Sequence, residues 1–276
     1  MPIADAAAYT PKAAETRAGI LSAIRDAATR TGVNFAYLTA NAAVESSFDP
    51  QAKAATSSAT GLYQFIDSTW LSMVQRHGDK HGLGDYAALI ETGADGYPRA
   101  VDAAAEREIL ALREDPRLAA LMAGELAADN RAYLQKHTAS PVGETELYLA
   151  HFFGARGAAD FLNTLQREPG RAAAQDFPAA AQANPAIFRD KSGRPQSLQQ
   201  IYDYFGGKLE RARGANGLDK PGGKAARPAD REERIIPQAP QPLPPLVHNG
   251  LHGAKLSFEV LLTLHALDPA LPFESV

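Results

Sequence analysis

The chain contains no cysteine. That removes disulfide frameworks, thiol nucleophiles and thiolate metal sites together. It leaves the compartment open, since many periplasmic proteins also lack cysteine. Positive charge is not in excess either: 28 Lys and Arg stand against 32 Asp and Glu, a net charge of −4. With no global basic field to hold a polyanion, nucleic acid is a poor candidate partner. No run approaches the roughly 18 apolar residues of a membrane helix. The N-terminal MPIADAAAYTPKAAETRAG has no basic start followed by an apolar stretch, so no secretory signal is visible in it. Metal and cofactor motifs are missing too. His77 and His81 are spaced as zinc ligands on a helix would be, but Gly78 and Gly82 break that helix and no third ligand stands nearby in sequence. Asp85, Asp95 and Asp102 lack the spacing of a calcium loop, and Gly154-Ala155-Arg156-Gly157 lacks the length and lysine of a phosphate loop. No metal and no cofactor are expected.

What is present is an ordinary globular composition, 45% hydrophobic and 22% charged over 276 residues. Alanine is abundant, and alanine has the highest helix propensity, so a mainly α fold is expected. Periodicity predicts helices over 16–31, ending at Gly32, and from Asn34 to about Glu45. A polar loop follows over 49–61, then a helix capped by Asp67 or Ser68. Residues 78–98, rich in glycine, read as a loop with one short helical turn near Tyr86 to Ile90. Helices are then expected over 99–113, from Pro116 to about His137, over 144–153, over 157–166 and over 197–211. The chain divides into a catalytic body over 1–212, a flexible Pro/Gly-rich linker over 213–247 and a short C-terminal segment over 248–276. Apolar residues crowd 256–267, which marks a docking element, for the chain's own body in preference to a partner.

Three sequence patterns carry chemistry. Glu45-Ser46-Ser47-Phe48-Asp49-Pro50-Gln51-Ala52 follows the apolar stretch from Tyr37 to Val44. Gly61-Leu62-Tyr63-Gln64-Phe65 comes next, and Leu149-Ala150-His151-Phe152-Phe153-Gly154-Ala155-Arg156-Gly157 lies downstream. Together they resemble the soluble lytic transglycosylase family of the lysozyme-like superfamily. Its patterns are Glu-Ser-x-Phe-x-Pro-x-Ala, Gly-Leu-Met-Gln and Leu-Ala-x-Tyr-Asn-Ala-Gly-Pro-Gly. The resemblance covers about residues 16–166. It departs at Tyr63, where the family has methionine, at Ser58, where it has glycine, and at Phe152, which replaces a tyrosine that contacts the catalytic acid.

The resemblance implies a lysozyme-like helical domain with a cleft, acting on the glycan strands of bacterial peptidoglycan. Glu45 would be the catalytic acid. It would protonate the oxygen between N-acetylmuramic acid and N-acetylglucosamine, then accept the proton of the C6 hydroxyl as a 1,6-anhydro ring closes. Ser46 would fix the carboxyl or a sugar group, or bond backbone at its helix end. Gln64 suits an N-acetyl group or a sugar hydroxyl, or the loop backbone. Tyr63 offers a ring face to a sugar or serves the core. Phe152 occupies a substrate-side position without a hydroxyl, so Tyr148 or His151 could reach the acid instead.

Two other readings stay open: a hydrolytic muramidase with Asp67 or Asp85 as second carboxylate, or a glycan-binding part of a flagellar, secretion or phage assembly. Intact Glu45 and Gln64 argue against a mere binder. The resemblance implies action in the periplasm or at the cell wall, by a route the sequence does not disclose.

Overall fold

The computed structural model describes residues 16–55 and 57–218, and it is mainly helical. Helix α1 (Arg17–Thr31) starts where the Thr16 side chain accepts the Gly19 amide and ends at Gly32. Helix α2 (Phe35–Ser46) is capped by Asn34, whose side chain accepts the Ala36 amide. Six successive α2 residues, Tyr37 to Ala42, are buried. A helix buried on every face is a core helix, and its run of small alanines lets neighbours approach from several sides. α1 packs on it from one side and the last helix from another.

Helix α3 (Asp67–His77) is anchored by Trp70, fully buried, whose indole nitrogen donates to the Ile109 carbonyl at 2.7 Å. Neither Asp67 nor Ser68 caps it. Ile66 occupies that position without a side-chain bond, and the Asp67 carboxylate turns to Arg113 at 2.7 Å. Held by that guanidinium, the carboxylate makes no capping bond to the first turn.

The glycine-rich stretch 78–98 is more ordered than its composition suggests. It forms a 3-10 turn (Gly78–His81), the short helix α4 (Gly84–Ala87) and a hairpin of β1 (Ile90–Thr92) against β2 (Pro98–Ala100), antiparallel with Ile90 opposite Ala100. Three-residue strands carry too few alternations to leave a pattern in the sequence. Arg99 therefore lies in β2, and helix α5 (Ala103–Ala111) begins only after Asp102, which accepts the Ala104 and Ala105 amides.

A 3-10 turn over Leu112–Glu114 leads into helix α6 (Pro116–His137), which starts at the expected proline after the Asp115 cap. It packs along α1 and brings Glu125 and Asp129 to the two histidines. Glu125 contacts His77 at 3.2 Å and His81 at 2.8 Å, while Asp129 contacts His77 at 2.8 Å. Acids about fifty residues away in sequence thus stand beside the pair. Among the described residues, however, no group of three or more such side chains is arranged to hold a metal.

The two helices expected over 144–153 and 157–166 are both present and run on from one another as α7 (Glu144–Arg167). The break between them is the single residue Gly154, at φ 72° and ψ 163°, a region essentially reserved for glycine. Short helices α8 (Pro178–Ala183) and α9 (Pro185–Phe188) follow, and Phe177 and Phe188 pack on Phe153. Helix α10 (Leu198–Ala215) starts from a Ser197–Gln200 capping box and packs against α2 and α7. It runs past position 213, where the sequence places the start of the linker. The rest of that linker and the C-terminal segment lie outside the described residues. No helix among the described residues is long and apolar enough to cross a membrane.

Candidate active site

Glu45 sits one residue before the end of α2. Helix periodicity turns its side chain toward α7, and only 6% of that side chain is exposed. From α7, Tyr148 and His151 present the same face, three residues apart. The Tyr148 hydroxyl donates to Glu45 Oε1 at 3.3 Å. His151 Nε2 lies at the same 3.3 Å, within ion-pair range. That nitrogen nevertheless has no hydrogen-bond partner, so its contact with Glu45 is one of proximity without alignment. The Tyr148 and His151 rings stack at 5.7 Å.

A third group comes from α10. Lys208 Nζ donates to the Tyr148 hydroxyl oxygen at 3.1 Å and lies 5.5 Å from the ring centroid. Burial lowers the proton affinity of Lys208, and the Glu45 carboxylate opposes that shift. Burial, reinforced by Glu45, holds the Tyr148 phenol well above its ordinary value of 10.0. Tyr37 of α2 behaves alike, raised first by burial and then by Glu45.

Phe152, by contrast, is only 1% exposed and packs on Phe153 and Phe205 at 4.6 and 4.8 Å. It offers no surface to a ligand, so the substrate-side position given to it by motif alignment is corrected to a core position. A residue of that helix one turn earlier, Tyr148, supplies the hydroxyl that Phe152 lacks.

The first two motifs meet in a tight loop. After Ser46 the chain reverses through Ser47 (φ 55°) and Phe48 (φ 68°), and Gln64 (φ 50°) is also left-handed. These are the three non-glycine residues with positive φ among the described residues. Such conformations cost energy and persist where surrounding contacts impose them, often at functional sites.

Ser46 Oγ donates to the Leu62 carbonyl at 2.8 Å and to Ala42 at 3.2 Å, so it ties α2 to the second motif. Tyr63 is 2% exposed and donates to the Leu38 carbonyl at 3.1 Å, as a core tyrosine does. Gln64 Nε2 donates to the Ala52 and Gly61 carbonyls at 3.1 and 2.9 Å. Its Oε1 takes no hydrogen bond from the described residues. Of the residues singled out from sequence, Tyr148 and His151 thus touch Glu45, whereas Ser46, Tyr63 and Gln64 bond the backbone around it.

Two contributors were not legible in the sequence. Lys208 is one. The other is Arg113, 7% exposed, which donates to the Ser58 and Phe65 carbonyls at 2.8 and 3.0 Å as well as to Asp67. Burial lowers its proton affinity, and Asp67 offsets part of that loss. Gly61 packs so closely on it that a Cβ would meet the Arg113 carbonyl oxygen at 2.2 Å. Neither cation belongs to a recognisable motif, and each arrives from an element remote in sequence.

A buried glutamate at a helix end, a tyrosine and a histidine against it, and a strained, clamped loop beside it occupy the ground marked by the three motifs. In agreement, residues 22–89 match the family model described as the transglycosylase SLT domain. That match takes in the first two motifs and supports, at family level, a lytic-transglycosylase-type domain consistent with the lysozyme-like superfamily, whose members act on cell-wall peptidoglycan.

Proposed function

We propose that this chain cleaves the β-1,4 bond between N-acetylmuramic acid and N-acetylglucosamine with Glu45 as the single acid and base, leaving a 1,6-anhydro end. The observation that carries the reading is the setting of Glu45. Its side chain is almost wholly enclosed, and among the described residues a hydroxyl and an imidazole lie against it. A proton donor needs a desolvated carboxyl. A hydrolytic route needs a second carboxylate to act as nucleophile or to activate water. Of the two carboxylates singled out for that role, Asp67 is engaged by Arg113 and Asp85 lies exposed on α4.

In the first step the Glu45 proton passes to the glycosidic oxygen as the C1–O bond breaks. The carboxylate left behind then takes the proton of the C6 hydroxyl as its oxygen bonds C1. Glu45 ends protonated and no water is consumed. Tyr148 donates to the carboxylate form, and Gln64 Oε1 remains for an amide or hydroxyl donor of the sugar. Action in the periplasm or at the cell wall follows from the substrate. Any docking to a flagellar, secretion or phage assembly would fall to the C-terminal segment.

Digestion of purified sacculi by native protein and by Glu45→Gln, with mass analysis of the products, tests the reading. Anhydro-muropeptides are expected from the native chain and at least about 100-fold less product from the variant. Reducing ends would instead assign a hydrolase. A Glu45→Gln protein keeping more than about a tenth of the activity would remove Glu45 from the acid role.

A further inference from the structure

Lys208 lies outside the matched segment and outside all three motifs, and nothing above gives it a task. Its place in the hydrogen-bond chain does. An ammonium has three donors and no acceptor, whereas a phenol has one proton to give. With Lys208 Nζ donating to the Tyr148 oxygen at 3.1 Å, the tyrosine proton must point elsewhere, and its acceptor at 3.3 Å is Glu45 Oε1. The chain therefore runs one way, from α10 through α7 to the end of α2.

We propose that Lys208 is a positioning residue for Glu45: it aims the Tyr148 hydroxyl at the carboxyl and stabilises the carboxylate left after proton donation. This rests on the reading of Glu45 as the acid. The ammonium is half-buried, and its charge couples to that of Glu45. The groups facing this chain are Glu45 and Tyr37 from α2, Tyr148 and His151 from α7, and Tyr204 and Arg211 from α10. Burial and Arg211 disfavour the charge on Lys208, and the Glu45 carboxylate opposes them. The consequence is that α10 belongs to the catalytic unit, although the family match ends at residue 89.

Steady-state digestion of sacculi is compared across pH for the native chain, Glu45→Gln, Lys208→Met, Lys208→Arg and Tyr148→Phe, with melting curves for each. Lys208→Met is expected to lower kcat about tenfold while KM changes little, as loss of a charge-assisted hydrogen bond does. Activity that needs protonated Glu45 falls as pH rises. Without the neighbouring positive charge that fall moves to higher pH. Lys208→Arg, which restores a donor and a charge, should recover most of kcat. On a Tyr148→Phe background Lys208→Met should cost much less than alone, because the linking hydroxyl is gone.

If Lys208→Met folds poorly, Lys208→Gln is read in the same way. A dead Glu45→Gln together with a folded Lys208→Met or Lys208→Gln of native kcat and native pH profile overturns the proposal and leaves Glu45 as the acid. So does a folded Lys208→Arg as inactive as the methionine variant. An active Glu45→Gln overturns the underlying reading instead.

Discussion

Gly61→Ala is the sharpest test of how the site loop is held. Gly61 has φ 85°, and a Cβ added there would lie 2.2 Å from the Arg113 carbonyl oxygen and 3.0 Å from its carbon. Two separate costs follow. Placing an L side chain in the left-handed region costs about 1–2 kcal/mol. Relieving a contact between Cβ and rigid backbone resembles overpacking of a core, about 1–3 kcal/mol more. The first cost can be measured alone at Gly32, which has φ 69° and nothing within 4 Å of its added Cβ. Gly170, with neither feature, is the blank.

Urea unfolding followed by circular dichroism should rank the alanine variants as Gly170, then Gly32, then Gly61. Gly61→Ala should lose about 2–5 kcal/mol, which is a large part of a typical domain's 5–15 kcal/mol. Activity should fall further than stability alone dictates. The residues that must move are Arg113 and the loop whose Ser58 and Phe65 carbonyls it holds, and Gln64 rides on that loop. If Gly61→Ala were no less stable than Gly32→Ala, the close approach to Arg113 would cost nothing, and the account of how this loop is fixed would be wrong.

Two further outcomes are expected. Arg113→Met keeps the length of the side chain but takes their donor from the Ser58 carbonyl, the buried Phe65 carbonyl and the half-exposed Asp67. It should destabilise by about 1–3 kcal/mol and open the loop over 57–66 to protease, and a native-like cleavage pattern would count against the clamp. Tyr37, Tyr63 and Tyr148 all have phenols pushed above their ordinary value of 10.0, burial being the largest cause each time. The folded state then holds protons that the unfolded chain releases first, so stability is full below about pH 10 and falls as pH rises beyond it. Three phenols that titrate normally in an ultraviolet titration of the folded protein would refute their burial.

The sequence by itself determined most of the helix ends and pointed to Glu45 as the candidate acid. Thr16 and Gly32, Asn34, Asp115-Pro116 and Ser197 are local signals, acting through bonds to backbone a few residues away, and each bounds a helix where it was expected. Glu45 was legible because the short pattern behind it encodes a local device, a helix end reversing through Ser47 and Phe48 into a proline turn. Tertiary structure decided what surrounds that acid. Motif alignment pointed to Phe152, yet on the face of α7 that both residues share it is Tyr148, one turn earlier, that meets Glu45, while Phe152 packs on Phe153 and Phe205. Lys208 and Arg113 reach the site from 163 and 49 residues beyond the residues they serve, Glu45 and Gln64 respectively. Local sequence rules act over a turn of helix or a hairpin, whereas the placing of a distant cation depends on how whole helices pack around α2.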